Sequence, residues 1–221
     1  GTLWNTYAFF TLYASIDGYD PANQKAKAED FSLMDKWVLS KLQSLIRFVD
    51  EGLAEYKITE TARAIAAFVD ELSNWYVRRC RERFWGKGLE GDKLAAFETL
   101  YTVLTTLCGL CAPYIPFMTE NMYQNLVVNN IPGAKESLHL TDFPKADMSL
   151  VDKELEDDME AVIAIVQLGR ACRSAANMKV RQPARALYVK GAKLPEAMAA
   201  LIADELNVKS VEFVDDARAF T

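Results

Sequence analysis

The stretch from Tyr56 to Gly86, YKITETARAIAAFVDELSNWYVRRCRERFWG, decides the fold class of this chain. Apolar residues recur in it at spacings of four and three, a period that predicts one amphipathic helix. Thr59 has the side chain of an N-cap, and Gly86 and Gly88 are expected to end the helix. At 1.5 Å per residue the helix would be about 40 Å long, which suits the central rod of a helical bundle.

The segments on both sides of this rod carry the same helical period. Ser32 and Asp35 have the spacing of a capping box, and Pro113 stops the apolar run that precedes it. Long helices joined by short connections predict an antiparallel bundle over residues 1–145. Besides the rod, the predicted helices cover residues 2–14, 31–55, 92–112 and 116–126.

The pattern changes after about residue 140. Residues 150–176 predict a helix that begins with a strongly acidic segment, because 152–160 contains six acids. A strand (ARALYVKG, 184–191), a helix (LPEAMAALIADELN, 194–207) and a second strand (VKSVEFVD, 208–215) are expected next. The predicted fold class is therefore mainly α, with an antiparallel helical bundle followed by a small α/β subdomain over 146–221.

Composition excludes several classes of function. The chain has 221 residues, of which one is His and four are Cys. It has no P-loop, no G-x-S-x-G and no G-x-G-x-x-G, so no catalytic site is visible. Cys108 and Cys111 form a C-x-x-C inside an apolar run without further ligands, which predicts core cysteines and no metal. No stretch of about 18 uncharged apolar residues occurs, so we expect no membrane contact and a cytoplasmic protein.

Charge is distributed unevenly along the chain, whose net charge is −6. The segment 75–87 holds five basic residues and one acid, and the segment 161–193 holds seven basic residues and no acid. Basic islands in an acidic protein predict a local contact with a polyanion.

Helix geometry divides the first island into two faces. If Leu72 faces the core and each residue turns the helix by about 100°, Arg78, Arg81 and Trp85 point away from the core. A basic and aromatic strip of this kind suits phosphates and the stacking of an unpaired base. The alternative is a solvated helix face with Trp85 packed under a loop.

Arg79 and Arg83 fall within about 20° of the core direction on the same geometry. We therefore expect them to be structural and partly buried against carboxylates, such as Glu71, Glu120 or an acid of another helix.

Five strings carry a family resemblance, and they occur in this order: MDKWVLSKLQSLI, ITETARAIAAFVDELSNWYVRRCRERFWG, LCAPYIPFMTENMYQNL, SLHLTDFP and MKVRQPARALYV. Together they closely resemble the C-terminal region of isoleucyl-tRNA synthetase, a class I aminoacyl-tRNA synthetase. The resemblance covers nearly the whole chain and is most specific over 74–86. The same region of a valyl-type synthetase is the close alternative, because it shares the bundle.

The resemblance implies a helical anticodon-binding bundle followed by a smaller α/β element. Its partners would be isoleucine tRNA, through the anticodon stem-loop, and the remaining domains of the parent synthetase. The parent enzymes use ATP and Mg²⁺, but their H-I-G-H-like and K-M-S-K-S-like motifs match no position here. We therefore expect an excised, monomeric piece that holds no cofactor and does not aminoacylate by itself.

The resemblance and the geometry together nominate tRNA contacts. The predicted contacts are Arg78, Arg81, Trp85, Lys36, Trp37, Lys87, Lys179, Arg181 and Gln182, with Trp75, Arg79 and Arg83 as structural residues. Core packing is the alternative for Trp37, and a domain-joining hinge is the alternative for the V-R-Q-P segment around Arg181. Two other classes of function stay open, a helical protein-interaction scaffold and a self-contained enzyme with an unrecognised site.

Overall fold

The computed structural model describes residues 1–191 and 193–216. The chain forms two compact units, Gly1–Val151 and Asp152–Thr221. The sequence placed this boundary at residue 145. Within the predicted subdomain 146–221, residue 192 and residues 217–221 lie outside the described residues.

The first unit is a bundle of helices, which confirms the mainly-α prediction. The chain passes from one helix to the next through short 3₁₀ or π segments or irregular turns. Its α-helices are α1 (Thr2–Asp17), α2 (Leu33–Ala54), α3 (Ile58–Glu71), α4 (Arg78–Trp85), α5 (Gly91–Cys111) and α6 (Pro116–Tyr123).

The caps predicted from the sequence at the starts of two helices have different outcomes. The backbone N–H of Asp35 donates to Ser32 Oγ over 3.3 Å, and Asp35 Oδ2 accepts from the N–H of Ser32 over 2.7 Å, so α2 begins with the predicted capping box. The N-cap of α3 is Lys57, without a side-chain cap. The predicted Thr59 cap is therefore wrong, because Thr59 already lies inside the helix.

The helix α5 forms the centre of the bundle. By length and composition alone it would also fit a membrane span, but 67% of its apolar window is buried inside the protein, as a core helix requires. Cys108 and Cys111 lie on α5 and are 0% and 3% exposed. Burial raises the pKa of both thiols to about 12, which keeps them protonated. The C-x-x-C pair is therefore part of the core.

A π-helical segment, Leu72–Val77, joins α3 to α4 without a break in the rod. A π turn contains one more residue than an α turn, so the residues beyond it are rotated about the helix axis. If every residue after Leu72 turned the helix by the same angle of about 100°, Arg79 and Arg83 would face the core. The structure instead buries Cys80 and Phe84 and leaves both arginines half-buried at the margin of the core.

The second unit contains the predicted strand–helix–strand order. After α7 (Lys153–Ala175) come β1 (Ala184–Lys190), α8 (Glu196–Leu206) and β2 (Val208–Val214), and the two strands pair in parallel. The helices α7 and α8 meet closely at Gly169, where an added Cβ would lie 2.4 Å from Leu206 Cδ1. This βαβ arrangement confirms the α/β part of the prediction.

Candidate nucleic-acid interface

The outward face of α4 carries the three residues that the sequence nominated first. Arg78, Arg81 and Trp85 are all exposed, and Trp85 as a residue is 55% exposed. The Nε of Arg78 donates to the carbonyl of Asn74 over 2.8 Å, and its guanidinium lies 5.8 Å from the ring centroid of Trp75. Trp75 itself is buried. The guanidinium of Arg78 is therefore oriented by the helix that carries it.

The helix α1 contributes aromatic rings to the same face. Trp85 Nε1 donates to the hydroxyl of Tyr13 over 2.9 Å, and the guanidinium of Arg81 lies 5.9 Å from the ring centroid of Phe9. The rings of Phe9 and Tyr13 are 4.9 Å apart. We call these five residues, Phe9, Tyr13, Arg78, Arg81 and Trp85, the α1–α4 surface. The sequence analysis missed its α1 half, although Phe9 and Tyr13 have a spacing of four.

A buried ion pair lies beneath this surface. The Nη1 and Nη2 atoms of Arg83 donate to both carboxylate oxygens of Asp35, over 2.8 and 2.7 Å. Its Nε also donates to Asp92 Oδ2 over 2.9 Å. The carboxylate of Asp35 has no exposed surface. The carboxylates thus come from α2 and α5. Of the three expected alternatives for Arg83, the structure has the acid of another helix, and not Glu71 or Glu120.

The charge of Asp35 is stabilised by three polar side chains around it. Burial alone would raise its pKa, but the Arg83 guanidinium and the hydroxyls of Tyr76 and Ser32 lower the pKa below its usual value. The Tyr76 hydroxyl donates to Asp35 Oδ1 over 2.6 Å. Because these partners belong to α2 and to the rod, the ion pair fixes α4 and the start of α2 relative to each other.

Lys93 fixes the end of α4. Its ammonium donates to the carbonyl of Gly86 over 2.6 Å and pairs with Asp17 at 2.7 Å. Lys93 is buried, and its partners lie at the ends of α4 and α1. The exposed Lys87 follows directly after this point.

The two predicted contacts on α2 differ in burial. Lys36 is exposed, whereas Trp37 is 1% exposed and belongs to the core. A side chain this deeply buried could reach RNA only after local unfolding. We therefore correct the prediction for Trp37 and keep Lys36.

The V-R-Q-P segment lies in a loop, 176–183, between α7 and β1. The side chains of Lys179, Arg181 and Gln182 are exposed. The loop backbone is held by Arg173, whose Nη1 donates to the carbonyls of Lys179 and Gln182 over 3.1 and 2.9 Å. Arg173 is itself buried. Sequence analysis counted it in the basic island without separating its role from that of its exposed neighbours.

No metal centre stands out in the described part of the chain. Within residues 1–191 and 193–216, no group of three or more His, Cys, Asp or Glu is placed to bind a metal. A cavity of about 540 Å³ beside α1 has side chains such as Tyr19, Tyr101 and Asn130 in its wall and no carboxylate, imidazole, ammonium or thiol. This donor set does not fit the ATP and Mg²⁺ that the sequence resemblance implies for a parent enzyme.

Comparison with known proteins relates this arrangement to a family. The model of the anticodon-binding domain of tRNA ligases matches residues 35–188, which include the rod, α5, α6 and most of β1. The chain belongs to this anticodon-binding family.

The relatives of this anticodon-binding domain are much longer proteins. The chain is 51% identical over 215 residues to the isoleucine–tRNA ligase of Clostridium novyi, a match that covers 97% of this chain and 21% of that protein. It is 48% identical over 219 residues to the isoleucine–tRNA ligase of Clostridium tetani, covering 99% and 21%. The isoleucine–tRNA ligase of Dehalococcoides mccartyi is 45% identical over 214 residues, covering 95% and 21%. The chain thus spans about a fifth of the length of these relatives, and the resemblance stated from the sequence strings is confirmed.

Proposed function

We propose that this chain is the part of an isoleucine–tRNA ligase that binds the anticodon arm of isoleucine tRNA. The observation that supports this most directly is the α1–α4 surface, where guanidinium and indole groups are exposed together on an anticodon-binding domain. The isoleucine specificity rests on the names of the relatives.

The chemistry of the surface suits a single-stranded RNA loop. Bases that are splayed out of an RNA loop stack on aromatic rings or on guanidinium planes. Trp85 and Tyr13 offer rings, and Arg78 and Arg81 offer charges that neutralise phosphates. Lys36 and Lys87 are proposed as further phosphate contacts on the first unit. On the second unit, the proposed contacts remain Lys179, Arg181 and Gln182.

The ion pair beneath the surface gives it rigidity. Because Arg83 is held by carboxylates of two other helices, α4 cannot rotate without breaking a buried pair. A surface that is ordered before binding loses less entropy when the RNA binds. We propose that Arg83 and Trp75 act in this way, as positioning residues, and that Arg79 shares the role.

The rest of the proposal concerns the parent enzyme. The domain would orient the tRNA while catalytic parts elsewhere in the ligase, which use ATP and Mg²⁺, attach isoleucine. By itself the chain would be a monomer without ligase activity. The four cysteines are free thiols, which is consistent with a reducing cytoplasm.

A titration of isoleucine tRNA tests the proposal. The wild-type chain is expected to bind the tRNA with an affinity that falls as salt rises, because counterions are released on binding. Arg78→Glu and Arg81→Glu are each expected to weaken binding about tenfold or more and to leave the circular dichroism spectrum unchanged. The matched control is Arg63→Glu, a charge reversal at an exposed arginine on α3 of the same rod.

Three outcomes would contradict the proposal. If the affinity for tRNA does not change with salt concentration, phosphate contacts are excluded. A protein-interaction scaffold is then favoured. Equal affinity for valine tRNA and isoleucine tRNA would remove the isoleucine assignment and favour a valyl-type relative or unspecific binding. An equal loss in the Arg63→Glu control would show that net charge matters and the α1–α4 surface does not.

A further inference from the structure

We propose that the second unit binds a backbone phosphate of the tRNA at one corner of its sheet, a proposal that rests on the function proposed above. This corner, which we call the basic corner, is formed by the 176–183 loop and the first residues of β1 and β2. Its cations are Lys179, Arg181, Arg185 and Lys209. Arg185 and Lys209 were not predicted as contacts, and they carry the new part of the inference.

Arg185 and Lys209 are neighbours across the parallel strands. Ala184 lies opposite Val208 and Ala186 lies opposite Ser210, so the residues between these pairs also lie opposite each other. Side chains alternate along a strand and neighbouring strands are about 4.8 Å apart, which places both cations on one face of the sheet.

The two cations have no carboxylate partner in the part of the chain that the structure describes. Both are exposed. The ion pairs of this unit join other residues, such as Arg170 to Glu205 at 2.6 Å and Lys153 to Asp157 at 2.8 Å. Two like charges at this spacing repel each other unless an anion lies between them. The arrangement therefore lowers the stability of the free protein slightly and favours a bound anion.

The loop backbone is fixed beside these two cations. The amide of Asn207 donates from Nδ2 to the carbonyls of Val180 and Arg181, over 3.1 Å in both cases. The carbonyl of Asn207 accepts from the N–H of Ala184 over 3.0 Å and from Arg173 Nη2 over 3.2 Å. Arg181 is thus tied through its backbone to Asn207, which directly precedes β2 and lies two positions before Lys209.

The chemistry of the basic corner suits a phosphate of an RNA backbone. Guanidinium groups bind phosphate oxygens with two parallel hydrogen bonds, and lysine adds a compact positive charge. The segment 161–193, which supplies Lys179, Arg181 and Arg185 but not Lys209, contains no acid. Because Arg173 and Asn207 hold the loop backbone before binding, only the side chains lose freedom when the phosphate arrives.

The test compares two double variants of the chain in the same tRNA titration. Arg185→Gln with Lys209→Gln removes the cross-strand pair. The matched control is Lys190→Gln with Lys193→Gln, which removes two exposed charges, one at the last residue of β1 and one three residues after it. We expect the corner variant to bind isoleucine tRNA about fivefold to tenfold more weakly. The slope of log affinity against log salt is expected to be smaller in magnitude by about one. The control is expected to stay within twofold of the wild type.

A second measurement separates binding from folding. Without RNA, the corner variant is expected to melt at the same temperature as the wild type or higher, because the repulsion between like charges has been removed. A lower melting temperature together with weaker binding would overturn the proposal, since loss of structure would then explain the loss of affinity.

The remaining outcomes distinguish this proposal from the proposed function. If Arg78→Glu weakens tRNA binding and the corner variant does not, the basic corner is not a phosphate site and the proposed function stands. If the wild-type chain binds no tRNA, both proposals fall. If the corner variant loses affinity for vesicles that contain phosphatidylserine but keeps its affinity for tRNA, the anion is a lipid headgroup and the proposal is overturned.

Discussion

Two arginines, the half-buried Arg83 of the bundle and the buried Arg173 of the second unit, are stabilised by different sets of acceptors. Arg83 in the bundle donates to the carboxylates of Asp35 and Asp92 as well as to one backbone carbonyl. Within the described residues, the guanidinium of Arg173 in the second unit donates to backbone carbonyls. Carboxylates titrate and carbonyls do not. The first arginine therefore makes its unit sensitive to acid, and the second fixes a loop in a way that does not depend on pH.

Removal of Arg83 is expected to have the largest effect on stability. Arg83→Ala leaves the carboxylate of Asp35 buried without its partner, and breaking a buried pair in this way costs about 3–5 kcal/mol. Chemical denaturation monitored by tryptophan fluorescence measures the change. Arg63→Ala, on the exposed side of α3, is the control and is expected to stay within about 0.5 kcal/mol of the wild type. A loss in Arg83→Ala no larger than that of the control would show that the pair contributes nothing.

Removal of Arg173 is expected to have a smaller and more local effect. Arg173→Ala leaves the carbonyls of Lys179, Gln182 and Asn207 without this donor, but water can reach the exposed loop and replace part of what is lost. We expect a loss of about 2–3 kcal/mol in the second unit. Hydrogen exchange of the 176–183 amides should speed up, while Lys179→Ala leaves it unchanged. Unchanged exchange in Arg173→Ala would contradict the role given to the guanidinium.

Acid is expected to destabilise the bundle more than the second unit. Because the pKa of Asp35 is lower in the folded protein than in the unfolded chain, its charge adds stability above the unfolded value of about 4. That stability is lost as the pH falls through the lower, folded pKa. Between pH 6 and pH 2, the free energy of unfolding of the bundle should therefore fall less steeply in Asp35→Asn than in the wild type. Identical curves for the two proteins would exclude Asp35 as the titrating group.

Loss of the Trp85 hydrogen bond is expected to have the smallest effect on stability. Trp85→Phe removes the donor to Tyr13 at an exposed site, where water replaces it, so the cost should be below about 1 kcal/mol. Under the proposed function, the same variant keeps a ring for stacking and loses less tRNA affinity than Trp85→Ala. Equal affinity for the two variants would argue against stacking.

The sequence was sufficient to predict most of the fold. The periodic apolar residues, the Ser32–Asp35 capping box and the prolines predicted the helices of the bundle to within a few residues. The strand–helix–strand order in the second unit was predicted as well. These features could be read because each depends on neighbours in the chain, and the structure confirms them.

The parts of the candidate site that could not be predicted from the sequence depend on contacts between residues that are distant in the chain. Nothing near Arg83 in the sequence indicates that its partners are Asp35 and Asp92. The pairing of Tyr13 with Trp85 joins residues 72 positions apart. The burial of Trp37 and the loop-holding role of Arg173 likewise follow from packing. Helical phase predicted the exposure of Arg78 and Arg81, but the π segment changed which residues lie at the centre of the core.

The π segment makes the length of the rod as important as its composition. If one residue between 72 and 77 were deleted and the segment became an ordinary α-helix, everything after it would turn by about 100°. Phe84 would then leave the core and Trp85 would turn from its present direction, although no side chain of α4 had changed. A shortened rod would keep every arginine and still lose the α1–α4 surface, so single deletions there should be tolerated far less well than substitutions.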